Sequence, residues 1–172
     1  MANGRPAFDP LAILAALERQ ATTYVVVGAL ARVIQGSDEL THGVDIAPSL
    51  REKNLERVEA ALQALEARPR DHTATALADR IERGEELIPF TTNRGELKIV
   101  PMPAGTRGYD DLRRRARREY LGHRVRVEVA SIDDLARMVA AREREEDLDL
   151  LLDMRRLAEL ERTLGPSLDL GL

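Results

Sequence analysis

Apolar positions recur at two periods along this chain, and the switches between them mark its elements. Tyr24-Val25-Val26-Val27 is a short apolar run rich in β-branched residues, which predicts a buried strand. Gly28 ends it at a sharp turn, and Ala29 to Gln35 read as a helix stopped by Gly36. Val44 to Ala47 read as a second short strand, broken by Pro48. Leu11, Leu14 and Leu17 stand at helical spacing behind Asp9 and Pro10, a capping acid and a first-turn proline. That helix is expected to pack against the sheet. Leu55, Val58, Leu62 and Leu65 form one helical stripe with Glu56, Arg57, Glu59 and Glu66 off it, and Ser49-Leu50-Arg51-Glu52 reads as its capping box. A polar segment, Pro69 to Thr75, separates it from a weaker helix with Leu77 and Ile81, ended by Gly84.

The second half continues the alternation. Leu87 to Thr92 and Glu96 to Met102 predict two strands of a hairpin turning at Asn93-Arg94-Gly95. Pro101, Pro103, Gly105 and Gly108 mark an ordered loop, after which Asp110 to Arg118 read as helix. Arg124 to Val129 alternate valine with charge, the mark of a half-buried strand. Ser131-Ile132-Asp133-Asp134 caps a helix carrying Leu135 and Met138, and a further helix carries Leu148, Leu151, Leu152 and Leu160. Gly165 to Leu172 read as a loose tail. The pattern predicts one α/β domain over residues 1–164: a central mixed sheet flanked by helices, with a helical C-terminus.

Composition narrows the class. The chain has 172 residues, enough for one independently folding core, and a third of them are charged, as in a soluble globular protein. It has no cysteine, which excludes disulfides and thiolate metal sites and fits a reducing, cytoplasmic setting. Nothing apolar follows Met1-Ala2-Asn3-Gly4-Arg5-Pro6, so no secretory signal is expected, and Arg32 interrupts the longest apolar run, so no membrane span is expected. The net charge of −4 argues against a dedicated nucleic-acid binder and leaves room for a local basic face. The Arg113-Arg114-Arg115-Ala116-Arg117-Arg118 run, between Tyr109 and Tyr120, is such a face on the predicted helix. Arg113, Arg114, Arg117 and Arg118 there either contact RNA or DNA phosphates or an acidic partner, or form a solvated face balanced by Asp110, Asp111 and Glu119. His42, His72 and His123 lack metal-site spacing.

Strand, glycine turn, helix, then a strand with an acid is the frame of a nucleotide-handling site. The helix start at Gly28-Ala29 offers free N–H groups to a phosphate, and Asp45 on the next strand is an oxygen ligand for the accompanying metal. Gly28-Ala29, Gly36-Ser37 and Thr41-His42-Gly43-Val44-Asp45-Ile46 together resemble the nucleotidyltransferase fold, in the small bacterial branch of AbiEii-like, toxin-like and minimal nucleotidyltransferases. That family typically reads strand, Gly-Gly or Gly-Ser, helix, Gly, then Thr-x-Asp-x-Asp-Ile. The likeness continues through Asn54-Leu55-Glu56-Arg57, Gly95-Glu96-Leu97-Lys98-Ile99, Pro103-Ala104-Gly105-Thr106-Arg107-Gly108-Tyr109-Asp110-Asp111-Leu112 and Arg144-Glu145-Glu146-Asp147-Leu148. It implies nucleotide contacts at Gly28, Ala29, Ser37 and Thr41, and Mg or Mn with a nucleoside triphosphate in an active member.

The same comparison exposes what is missing. Nucleotidyl transfer uses clustered carboxylates that hold two divalent metals around the attacking and leaving oxygens. The resemblance places the three acids at positions 43, 45 and 98, and here they are Gly43, Asp45 and Lys98. The family's helical lysine is Val139, and the lysine before Asp147 is Glu146. Glu96 shares a strand face with Lys98 as a substitute carboxylate. Asp45 is then either a surviving metal ligand or a structural acid facing Lys98. The leading expectation is a catalytically degenerate nucleotidyltransferase-fold protein that binds a protein partner, antitoxin-like or a second copy, or a nucleic acid. The alternatives are an active enzyme transferring a nucleotide to tRNA or protein, and a nucleic-acid module built on Arg113–Arg118.

Overall fold

A computed structural model describes residue 4 and residues 6–164. Strands β1 (Tyr24–Val27), β2 (Gly43–Pro48), β3 (Arg68–Pro69), β4 (Ile88–Thr92), β5 (Gly95–Ile99), β6 (Arg117–Tyr120) and β7 (Arg126–Val129) form one mixed sheet in the order β3-β4-β5-β2-β1-β7-β6. The pairs β2–β5 and β1–β7 are parallel and the others antiparallel. Helices α1 (Pro10–Arg19), α2 (Gly28–Ile34), α3 (Glu52–Ala64), α4 (Leu77–Glu82), α5 (Tyr109–Leu112), α6 (Ile132–Ala141) and α7 (Leu148–Leu164) surround it, with a 3₁₀ turn at Glu145–Asp147. The expected mixed α/β architecture with a helical C-terminus is present. The tail expected over 165–172 lies outside the described residues.

Local chemistry sets the starts of α1 and α6. Asp9 caps α1 by accepting the Ala12 N–H at 3.0 Å, with Pro10 in the first turn. Ser131 caps α6 by accepting the Asp134 N–H at 3.1 Å. The stripe Leu55, Val58, Leu62 and Leu65 is buried, and α3 packs on α1, which also contacts β2 and β5. In the middle of the sheet, β2 and β5 each bury alternate residues: Val44 and Ile46, Leu97 and Ile99 are fully enclosed. Gly43, Asp45, Glu96 and Lys98 therefore share the other face.

Several expectations are corrected. The Asp110–Arg118 stretch is not a helix: α5 ends at Leu112, residues 113–115 form a turn, and Arg117 to Tyr120 are the edge strand β6, antiparallel to β7. After Leu112 no buried apolar residue falls at helical spacing, and β7 offers the 117–120 backbone a ladder. Ser49 does not cap α3. It is extended and buried, its N–H donates to Thr23 O, and α3 starts at Glu52. Asn54 does that joining instead, accepting from the Thr23 N–H and donating to Thr23 O and Ser49 O. Strand β5 stops at Ile99, three residues short of Met102, and β7 starts at Arg126 because His123 and Arg124 take left-handed φ of 49° and 63°. A short edge strand, β3, starts one residue before the segment read as polar loop. On α7, Met154 and Ala158 are buried, and Leu148, Leu152 and Leu160 face outward.

Candidate functional site

The end of β1, the start of α2 and the middle of β2 meet at one point. Val27 pairs with Asp45, and the chain then enters α2 through Gly28 at φ +70°. A Cβ built on Gly28 would lie 2.9 Å from Asp45 Cγ and closer still to its Oδ2. Only glycine accepts both that φ and that approach. The Asp45 carboxylate thus stands directly over the strand-to-helix turn that the sequence marks as a phosphate cradle.

Around Asp45 is a cleft of about 260 Å³. Leu87, Val100, Met102 and the α6 residues Leu135, Met138 and Val139 form its apolar walls. Its charged lining is Asp45, Arg32, Glu86, Arg142 and Arg144. Arg32 is buried on α2 and holds Glu39 bidentately, Nε and Nη2 each 2.8 Å from a carboxylate oxygen. Burial pushes the Glu39 carboxyl up, and hydrogen bonds from Arg32 and Ser37 outweigh this and hold it below its usual range. This pair pins the 37–42 loop against α2. Arg142 pairs with Asp147 at 3.1 Å.

The Asp45 carboxyl is raised above its ordinary value. Burial is the main cause, Lys98, Arg32 and Arg142 oppose it, and Glu96 adds to it. The parallel register places Asp45 opposite Lys98 and Gly43 opposite Glu96. Glu96 is engaged by Arg70, which follows β3. The three positions that the resemblance assigns to metal-binding acids therefore stand together on one sheet face as glycine, carboxylate and ammonium. This donor set does not fit a divalent cation: a hard ion needs several oxygen ligands, and an ammonium in register with the one acid repels it. Among the described residues no group of three or more acidic, histidine or cysteine side chains is placed to hold a metal ion.

The structure brings together Gly28 and Asp45 in the cleft, with Lys98 and Glu96 beside them on the sheet. Ala29, Ser37 and Thr41 are not among the lining residues. Ser37 donates to Glu39 and Thr41 to Gly43 O, so both hydroxyls shape the loop into β2. Arg113, Arg114, Arg117 and Arg118 lie outside the cleft, and three of them, Arg113, Arg117 and Arg118, are matched by acids. Arg113 reaches Asp110 at 3.5 Å and stacks 6.0 Å above Tyr109, Arg118 binds Glu128 at 3.0 Å, and Arg117 pairs with Glu161. Arg115 pairs with the fully buried Asp134. The cleft residues that sequence reasoning missed are Arg32, Glu86, Arg142 and Met138. Arg32 carried a signal, an arginine inside an otherwise apolar helix; the others come from distant elements and carried none.

No protein-family model matches the chain, and no curated protein matches it significantly. Among solved structures it is similar to the antibiotic-resistance factor ANT(2'')-Ia, whose solution structure is described as revealing substrate-regulated conformation dynamics. The two share 16% identity with a TM-score of 0.55, over 91% of this chain and 82% of that one. A likeness at this identity concerns the fold, and the fold is nucleotidyltransferase-like. Among the described residues no helix is long and apolar enough to cross a membrane.

Proposed function

We propose that this chain is a nucleotidyltransferase-fold protein that has lost two-metal transfer and acts by binding a protein partner. One observation carries the reading: Gly43, Asp45 and Lys98 occupy neighbouring register positions on one face, where metal-dependent transfer needs carboxylates. With one acid and an opposing ammonium, charge on a reacting triphosphate would not be neutralised by bound Mg or Mn. Assignment to the small bacterial, toxin-like branch rests on the Thr41–Ile46 and Pro103–Leu112 motifs. The rival reading, an active transferase, draws on Asp45 and Glu96 sharing a sheet face, but Arg70 already engages Glu96. A nucleic-acid role for the arginine segment is weakened by the acids that match Arg113, Arg115, Arg117 and Arg118.

The test is incubation with the four labelled nucleoside triphosphates, Mg²⁺ or Mn²⁺, and tRNA or protein acceptors. No label above background is expected. Robust transfer that disappears on Asp45→Ala would overturn the proposal.

A further inference from the structure

On the α3–α4 side of the molecule is a groove of about 520 Å³, twice the volume of the Asp45 cleft. Leu55, Ala78 and Ile81 line its floor, and Leu50, 38% exposed, stands at its edge. Its rim is built from Glu52, Glu56, Glu59 and Glu82, and no lysine or arginine lines it. Three of these acids recur along one face of α3, at positions i, i+4 and i+7. Glu59 accepts the Leu77 N–H at 3.1 Å, which holds the start of α4 against α3 and keeps the groove open.

Arginines engage some of this chain's acids: Arg80 with Asp71 and Glu85, Arg32 with Glu39, Arg137 with Asp111, Arg142 with Asp147. Among the described residues none of the four groove glutamates is in an ion pair with a side chain of this protein. Four like charges around an apolar trough repel one another unless a cation lies between them. An occupant needs apolar side chains for the floor and cationic ones for both rims, the pattern of an amphipathic helix laid in a groove. Nucleic acid is excluded by the sign of the rim.

We propose that the α3–α4 groove docks a basic amphipathic helix of a protein partner. This deepens the reading of a binding protein by naming the partner's chemistry, and it rests on that reading. The groove and the Asp45 cleft are lined by different residues, so the two ideas can fail separately.

The experiment is fluorescence anisotropy with a labelled helical peptide carrying leucines at helical spacing flanked by arginines. A matched peptide with glutamates and a single-stranded RNA serve as the other probes. The arginine peptide alone should bind. Binding should weaken about tenfold or more in the pair Glu56→Lys with Glu82→Lys, and fall with added salt. Ala78→Arg, which fills the exposed floor and removes no acid, should weaken it as well, and Asp45→Ala should leave it unchanged. Circular dichroism establishes that each variant is folded. The proposal is overturned if no peptide binds, if the glutamate peptide binds as well, if RNA is preferred, or if the charge-reversed protein binds equally. It is also overturned if sedimentation shows a dimer that these reversals dissolve, because a second copy would then fill the groove. Nucleotide transfer lost on Asp45→Ala would refute the silent cleft and leave peptide docking standing.

Discussion

At the scale of single residues, Asp45 is where the candidate site and the stability of the fold meet. Its carboxylate lies against Gly28, and the positive φ there leaves no room for a side chain. Burial raises its carboxyl, and Lys98 is the strongest of the cations that hold the rise back. A carboxyl that keeps its proton more tightly folded than unfolded makes folding take up a proton. Its contribution to stability is fully present below the ordinary carboxyl value near 4 and is lost as pH rises through the raised value. Asp45→Asn should therefore stabilise the protein at pH 7 and have little effect at pH 3. Lys98→Ala should do the reverse, costing on the order of 1 kcal/mol at pH 7, with the cost vanishing at low pH and in the Asp45→Asn background. Urea unfolding of the four proteins at the two pH values measures this. An Asp45→Asn variant destabilised at pH 7 and not at pH 3 would show that its carboxylate serves structure in its charged form.

At the scale of elements, the arginine segment is a turn and an edge strand where a helix was expected. As a helix it would present a continuous cationic face; as a turn followed by an edge strand it sends Arg113, Arg115, Arg117 and Arg118 each to a different acid. Arg115 matters most, because Asp134 is fully buried and one of its oxygens takes contacts from both Arg115 and Arg137. Arg115→Ala should cost about 1–3 kcal/mol, less than a full buried-pair loss because Arg137 remains. Arg113→Ala, Arg114→Ala and Arg118→Ala should each change stability by about 0.5 kcal/mol or less. Thermal unfolding checks the ranking, and a cost for Arg115→Ala that persists undiminished with Asp134→Asn would refute the pairing. This segment also shows where sequence reading stops. Helices α1 and α6 were legible because their caps and stripes are local, α3 because its stripe is, and β1, β2 and β5 because apolar side chains alternate or cluster there. The edge strands β3 and β6 were not, since a strand with one neighbour and little burial needs no apolar pattern. On α7 the leucines suggested the wrong face, because packing on α6 selected Met154 and Ala158. Within the site, Gly28, Asp45 and Lys98 could be placed from strand spacing and resemblance, while Arg142 and Glu86 reach the cleft only through tertiary folding.

At the scale of the whole molecule, the question is whether this fold can hold a divalent metal on the sheet face that carries Asp45. Gly43 and Asp45 lie two residues apart on β2, and Lys98 faces Asp45 from β5, so one exchange at each of two positions would place three acids beside Glu96 on one face. The packing at Gly43 is tight: a Cβ there would lie 3.1 Å from Glu96 Cβ and from Glu96 O, so Gly43→Asp requires Glu96 to give way. That tightness should cost about 1–3 kcal/mol in either variant carrying Asp at 43. Gly43→Asp alone keeps the Lys98 ammonium beside two carboxylates and should not bind Mg²⁺ or Mn²⁺. Gly43→Asp with Lys98→Asp removes that repulsion. At a metal concentration of about 100 times its Kd, the double variant should gain about 2.7 kcal/mol, or roughly 5–10 °C in Tm for a chain of this size. The unmodified protein should unfold at the same temperature in Mn²⁺ and in chelator. Differential scanning calorimetry of the unmodified protein, both single variants and the double variant decides it. A metal-dependent rise in the unmodified protein that is lost in Asp45→Ala would mean that one carboxylate and its surroundings suffice for binding, and that the lysine does not stand in for the cation.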